Sequence, residues 1–119
     1  MADKIKIEGL FEAIDAKDTD SFLTYLTEDA VFRFGSQEAV YGRAAIGDYV
    51  SGFFGTIKAL QHRVTETWEG HNSLVCQGEV TYTKLDGTNV TLPFVNVFRF
   101  AKDRVRDYLI HIDPSPLMG

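Results

Sequence analysis

One polar side chain interrupts an apolar row in the stretch TLPFVNVFRF, residues 91–100. Side chains two residues apart share a face of a β-strand, so Asn96 lies in line with Phe94 and Phe98 if this stretch is a strand. A buried amide without hydrogen-bond partners costs about 1–3 kcal/mol, whereas an amide that faces a pocket can donate to a ligand carbonyl or a developing oxyanion. We therefore predict Asn96 as an oxygen-binding catalytic residue. The alternative is an amide that a neighbouring side chain or a buried water satisfies.

The histidines are the natural candidates for proton transfer near neutral pH. We predict His62 as the second catalytic residue, near the start of a strand and in phase with Val64, Glu66 and Trp68. The alternative is a histidine bonded to backbone at a strand end. His111 alternates onto the opposite, mixed face, which favours a surface or interface role. The chain has three histidines, and their spacing does not match a metal site, so we expect no metal or other cofactor.

Other reactive residue types are predicted to have structural roles. Cys76 is the single cysteine and alternates with apolar residues, which indicates a small core residue and allows no internal disulfide. A reducing compartment follows from that cysteine usage. Tyr41, Tyr49, Tyr82 and Tyr108 are predicted in the core, with hydroxyl groups that could surround a pocket.

Length and composition indicate one domain over residues 1–119 with a substantial core. The chain is 45% hydrophobic and carries a net charge of −5 without any run of Lys or Arg, so nucleic acid and anionic membranes are not expected partners. No segment approaches the ~20 consecutive apolar residues of a membrane helix. We expect a cytoplasmic protein.

Three helices are predicted in the first half of the chain. The first carries an i, i+3, i+4, i+7 apolar stripe, the second begins after an N-cap at Asp18 or Thr19, and the third begins near Arg43. Their predicted apolar faces are, in turn, Ile7, Leu10, Phe11 and Ile14; Phe22, Tyr25 and Leu26; and Ile46, Tyr49, Val50, Phe53 and Ile57.

Strands dominate the rest of the sequence. AVFRFGS and AVYG predict a short hairpin between the second and third helices, and from Gln61 onward a period of two predicts four long strands. Asp86-Gly87 predicts the turn between the second and third of them, and Pro93 predicts an edge segment or a bulge. Helices followed by an antiparallel meander indicate an α+β fold, in which a curved sheet can leave a cavity against its helices.

Three stretches resemble the nuclear transport factor two-like superfamily, in particular its SnoaL-like polyketide cyclase and ketosteroid isomerase branches. They are AIDAKDTDSFLTYLTEDAVFRF, VYGRAAIGDYV and LPFVNVFRFAKDRVRDYLIHIDPSPL. The resemblance implies a cone-shaped fold, with a strongly curved, mainly antiparallel sheet wrapped around three N-terminal helices and an internal pocket. It also implies that a homodimer through the sheet face is common.

The resemblance also implies where catalytic groups would lie. Ketosteroid isomerase-like members use a tyrosine on the first helix, an aspartate base on the first strand and a protonated aspartate on the penultimate strand. The matching positions are Leu10, Phe34 and Asn96, so steroid isomerisation by that route is not supported. The acid–base aspartate of SnoaL-like cyclases falls on Ile110. We expect a ligand to contact Leu10, Phe34, Tyr49, Phe53, Tyr82, Phe94, Phe98, Tyr108 and Ile110.

Three functions remain open from the sequence. The first is an enzyme that isomerises, cyclises or dehydrates a small hydrophobic carbonyl compound, with Asn96 holding the oxygen and His62 or a tyrosine moving a proton. The second is a non-catalytic binding domain for a similar ligand. The third is a dimerisation or protein-interaction module that works through Arg99, Asp107, Leu109 and His111.

Overall fold

The computed structural model describes residues 2–118, with side chains over residues 7–117. In chain order, the elements are α1 Ala2–Asp15, α2 Thr19–Leu23, β1 Leu26–Phe34, β2 Val40–Tyr41, α3 Arg43–Phe54, β3 Ile57–Gly70, β4 Ser73–Lys84, β5 Asn89–Ala101, β6 Arg104–Ile112 and α4 Ser115–Met118. The six strands form one sheet with the order β2-β1-β6-β5-β4-β3, in which β1 and β6 run parallel and all other neighbours antiparallel. The predicted α+β fold with a curved, mainly antiparallel sheet is confirmed.

The helices pack on one face of the sheet, called here the concave face. Phe11 of α1 contacts the rings of Phe94 and Phe98 on β5, and Phe22 of α2 contacts Tyr108 on β6. The predicted stripe of α1 is buried along its length, which confirms the helical periodicity. Strands β4, β5 and β6 contribute a large part of the core from their concave positions: Leu74, Cys76, Val80, Tyr82, Leu92, Phe94, Asn96, Phe98, Phe100, Val105 and Tyr108. The prediction of Tyr41 in the core is wrong, because its side chain on the two-residue edge strand β2 is 69% exposed.

Two predicted helix faces extend too far. Helix α2 begins at the N-cap Asp18, whose carboxylate accepts from the backbone N–H of Ser21, and it ends at Leu23. Leu26 instead begins β1 and pairs with Val105 of β6, because sheet pairing offers its backbone partners that another helical turn would not. In the same way α3 ends at Phe54, and Ile57 begins β3.

A β-bulge at Thr65 changes which side chains of β3 share a face. The β3–β4 register shifts there, so Glu66 and Trp68 lie on the face opposite His62, and the predicted phase along this strand is wrong beyond Val64. The bulge brings backbone of β3 against Gly78 of β4. A Cβ atom at that glycine would lie 2.2 Å from a carbonyl oxygen of β3. Only a residue without a side chain fits this close approach.

The predicted hairpin at Asp86-Gly87 is present. Gly87 has φ +89°, and the carboxylate of Asp86 accepts from the backbone N–H of Thr88 at 2.9 Å. Pro93 sits in a regular stretch of the β4–β5 ladder without a bulge, but the pairing of β6 stops at Phe94. Pro93 therefore lies where β5 has a free edge, which is where a residue lacking N–H is tolerated.

Candidate functional site

A small cavity lies between the helices and the concave face. Its volume is about 40 Å³, which is room for a few water molecules and not for a drug-sized ligand. We call it the inner cavity. It contains six of the nine predicted ligand-contact residues together with His62, and its full lining is Ile14, Phe22, Phe32, Phe34, Tyr49, Val50, Phe53, Phe54, Leu60, His62, Tyr82, Tyr108 and Ile110.

His62 is held at this cavity by a carboxylate from the end of α1. Asp15 Oδ1 lies 2.6 Å from Nδ1 of His62, and Asp15 Oδ2 accepts from the backbone N–H of His62 at 3.0 Å. The imidazole also packs against the rings of Phe11 and Phe94, with centroid distances of 4.8 and 5.4 Å. Because an ionised carboxylate can only accept, the contact assigns a hydrogen to Nδ1, and in the neutral form of the ring Nε2 is then the acceptor nitrogen.

Asp15 is the site residue that the sequence analysis missed. Its one available signal is its place in the last turn of α1, where the helix dipole disfavours a negative charge and a carboxylate therefore needs a partner. Lys17 follows with φ +55°, and its Nζ donates to the backbone carbonyl of Ile57 at 3.0 Å. This bond fastens the end of α1 to the start of β3, which sets Asp15 opposite His62.

Asn96 lies on the same concave face but outside the inner cavity. It is 1% exposed, and within the described part of the chain neither Oδ1 nor Nδ2 has a hydrogen-bond partner. Its cross-strand neighbours are Cys76 and Ile110. The two residues predicted as catalytic therefore do not line one common space, because only His62 lines the inner cavity. Three predicted ligand-contact residues also pack in the core away from the lining: Leu10, Phe94 and Phe98.

The hydroxyl and thiol groups around the site all stay protonated at neutral pH. Burial raises the pKa of Tyr82 and of Tyr108 above the ordinary value for tyrosine, so both phenols remain hydrogen-bond donors. Burial likewise raises the pKa of Cys76 to about 12, which makes its thiol a poor nucleophile. Partial burial raises the pKa of Tyr49, whose hydroxyl donates to Oε1 of Gln37.

An open groove of about 620 Å³ adjoins the inner cavity at its α3 side. We call it the outer groove. It shares two residues with the inner cavity, Tyr49 and Phe53, which therefore stand between the two spaces. Its lining is Gln37, Tyr49, Gly52, Phe53, Thr56, Ile57, Lys84, Leu85, Asp86 and Leu117.

Outside the cavity, the structure offers little further chemistry over residues 7–117. No group of three His, Cys, Asp or Glu residues in that range is placed to hold a metal ion. His111 is exposed, and Asp107 lies 3.1 Å from Arg106 and 3.7 Å from Arg99. Among the described helices, none is long and apolar enough to cross a membrane.

Three solved structures that share this fold carry different descriptions. An NTF2-like protein of unknown function from Burkholderia pseudomallei matches at 19% identity and a TM-score of 0.89, covering 99% of this chain and 95% of that one. TerC, co-crystallised with polyporic acid, matches at 17% identity and a TM-score of 0.87, covering 99% and 96%. An LEH-like epoxide hydrolase from M. tuberculosis matches at 12% identity and a TM-score of 0.84, covering 98% and 86%. Such likeness shows the shared fold alone.

Sequence comparison identifies the family. A search of curated proteins finds no match. A family model described as the SnoaL-like domain matches residues 7–108, a range that runs from the buried stripe of α1 to Tyr108 on β6 and includes both Asp15 and His62. The chain belongs to the SnoaL-like domain family.

Proposed function

We propose that this protein is a cofactor-independent acid–base enzyme that isomerises, cyclises or dehydrates a small hydrophobic carbonyl compound. The observation that carries the proposal is the pair of contacts between Asp15 and His62, at 2.6 and 3.0 Å. A carboxylate bound to both the ring and the backbone of one histidine fixes the orientation and the tautomer of that histidine. A positioned imidazole of this kind typically contributes about 10²–10⁴-fold to the rate of proton transfer.

The reaction that fits this arrangement is proton abstraction next to a carbonyl. Nε2 of His62 would take the proton from the carbon beside the carbonyl, which leaves an enolate and an imidazolium stabilised by Asp15. Tyr82 and Tyr108, both lining the cavity and both protonated, would donate to the enolate oxygen. Return of the same proton to another carbon isomerises the substrate, and its transfer to a leaving hydroxyl group completes a dehydration.

Asn96 stays a predicted oxygen-binding residue in this proposal. Its two unpartnered side-chain atoms lie between Cys76 and Ile110, and Ile110 lines the cavity. A ligand that enlarges the cavity past Ile110 would supply the hydrogen-bond partner that the amide lacks. The benefit is large in a dry site, because an unpaired buried amide costs about 1–3 kcal/mol.

Non-catalytic ligand binding is the second candidate, and a specific observation favours it. The two positions at which related enzymes are expected to place a carboxylate are Phe34 and Ile110, and both line the cavity as apolar residues. The lining residues that the structure describes include no Asp or Glu. Such a pocket would bind an apolar compound without converting it.

Exchange of α-protons with deuterated water separates these two candidates without knowledge of the natural substrate. We would follow exchange by NMR for 1-tetralone and other aromatic ketones, with polyporic acid in the binding panel because TerC was co-crystallised with it. We expect wild-type protein to catalyse exchange and His62→Gln to lose about 10²–10⁴-fold. His111→Gln, an exposed histidine on the other face, is the matched control. Thermal stabilisation by the panel without any exchange would reject the enzyme and support the binding domain.

We also propose that two copies associate through the convex sheet face. Supporting this, Val95, Val97 and Leu109 form a row of half-buried apolar residues on that face, beside the Arg99–Asp107 ion pair. Sedimentation would show a dimer that Leu109→Glu converts to a monomer. A monomeric wild-type protein at high concentration would reject the interface and the interaction-module function with it.

A further inference from the structure

Two aromatic side chains lie at the junction of the inner cavity and the outer groove. Tyr49 and Phe53 lie one turn apart on α3 and are the two residues that line both spaces. Residues four apart project from the same side of a helix, so both rings face the passage together. Neither ring is fully buried, in contrast to Val50 and Phe54 on the same helix.

One hydrogen bond and packing against four neighbouring rings hold these two side chains. The Tyr49 hydroxyl donates to Oε1 of Gln37, and its ring meets Phe32 at a centroid distance of 5.6 Å. The ring of Phe53 meets Phe34 at 5.5 Å, Tyr82 at 5.8 Å and Phe54 at 6.4 Å. A hydrogen bond like that of Tyr49 favours the closed position over an open one by only about two- to tenfold.

A ligand can enter the inner cavity only if side chains that line it move. At about 40 Å³ it cannot accept even benzene, which occupies an engineered cavity of about 150 Å³ in another protein. The outer groove is open and large enough for a ring system, and it ends at the same two side chains. Outward rotation of Tyr49 and Phe53 would join the two spaces and leave the backbone of α3 in place.

We propose that Tyr49 and Phe53 form a gate, with Gln37 as its latch, and that the inner cavity and outer groove become one site for an elongated aromatic carbonyl compound. This rests on the proposed function for the carbonyl end, which lies at His62. The far end lies in the groove, where Lys84 is the one cation among the described lining residues and the Asp86 carboxylate accepts from the backbone N–H and hydroxyl of Thr88. The hydrogen bonds from Thr88 lower the pKa of Asp86, which stays ionised, so the compound carries a hydrogen-bond acceptor that Lys84 can reach at its far end.

Two substitutions test the latch and the groove separately. Gln37→Ala removes the acceptor of Tyr49, while the backbone of residue 37 keeps its bonds to Phe34 and to the Arg33 side chain. Because opening the gate then costs less free energy, we expect polyporic acid to bind about two- to tenfold more tightly and to associate faster. Lys84→Ala should weaken the binding of polyporic acid and leave the affinity for the shorter 1-tetralone unchanged. Gln77→Ala and Lys58→Ala, both exposed elsewhere, are the matched controls.

Fluorine NMR of fluorotyrosine-labelled protein reports the gate directly. The five tyrosines give five signals, and Tyr49→Phe assigns the gate residue. We expect polyporic acid to shift the Tyr49 signal and not that of Tyr41, which is 69% exposed. Any of three results would overturn the gate. They are a Tyr49 signal that polyporic acid does not shift, an unchanged affinity for polyporic acid in Gln37→Ala, and no binding of polyporic acid to either wild type or Gln37→Ala. Its failure is distinct from failure of the catalytic proposal, which is decided by proton exchange in His62→Gln.

Discussion

Asn96 and His62 lie on the same concave sheet face and have opposite surroundings. His62 adjoins the inner cavity and has Asp15 on both its ring nitrogen Nδ1 and its backbone N–H. Asn96 is sealed in the core with both side-chain polar atoms unpartnered. A polar side chain on a core face therefore does not by itself indicate catalysis. Of the two, only His62, which adjoins the cavity, has a partner that fixes its orientation.

Placing a charge at the sealed position should produce the largest effect. Asn96→Asp introduces a buried carboxylate without a cation, and we expect a loss of about 3–5 kcal/mol in the free energy of unfolding at neutral pH. Burial raises the folded-state pKa of such a carboxyl, so stability should return as the pH falls and the group is protonated. Urea unfolding at neutral and mildly acidic pH measures this change. Equal stability with wild type at neutral pH would show that the position is hydrated.

Removing the imidazole should destabilise the protein less. His62→Leu leaves the Asp15 carboxylate, whose side chain is 26% exposed, with the backbone N–H as its remaining partner. We expect a loss of about 1–2 kcal/mol, and the double variant Asp15→Asn/His62→Leu should recover part of it. A double-mutant cycle from urea midpoints gives the coupling. Strictly additive losses would mean that the two side chains do not interact in solution.

The same apolar replacement at Asn96 should act in the opposite direction. Asn96→Leu has similar volume and removes two unpartnered polar atoms, so we expect the free energy of unfolding to rise by about 1–2 kcal/mol. If Asn96 holds a ligand oxygen, proton exchange and ligand affinity should fall in this more stable variant. A destabilised Asn96→Leu would show that the amide is already satisfied, for example by buried water.

The smallest effect concerns the thiol beside Asn96. Burial raises the pKa of Cys76 to about 12 from 9.0, so the folded protein holds this proton more tightly than the unfolded chain. The raised pKa therefore stabilises the folded protein fully below about pH 9, and this stabilisation is lost as the pH rises between about 9 and 12. The free energy of unfolding should fall by about 1 kcal/mol from this cause by pH 10. Cys76→Ala should lose less stability than wild type between pH 8 and pH 10. An identical decline in both proteins would contradict this account.

The fold was largely predictable because its signals are local. The apolar stripe of α1, the Asp18 cap, the alternation of β4 to β6 and the Asp86-Gly87 turn each encode their own element. The ends of the elements were less predictable. Leu26 and Ile57 continue the helical pattern of apolar residues, but their backbones pair in the sheet as the first residues of β1 and β3. The bulge at Thr65 depends on the space that Gly78 leaves on a neighbouring strand, which the β3 sequence does not show.

The candidate site was predictable only in part, since its partners are far apart in sequence. His62 could be proposed from its residue type, but Asp15 lies 47 residues away, and only tertiary packing of α1 on β3 joins them. The gate was unpredictable for the same reason, because Gln37 and Tyr49 come into contact only through the fold of the segment between β1 and α3. Asn96 was correctly placed on the buried face, yet whether that face opens to a cavity depends on the side chains around it.

The tautomer of His62 tests the central claim most directly, because measuring it needs no substrate. Long-range ¹⁵N–¹H NMR distinguishes the two imidazole tautomers, and His62→Gln assigns the signal among three histidines. We predict that neutral His62 carries its hydrogen on Nδ1 and has an unprotonated Nε2, and that Asp15→Asn abolishes this preference. A hydrogen on Nε2 in the wild-type protein would contradict the account, since the nitrogen proposed to take the substrate proton would already be occupied.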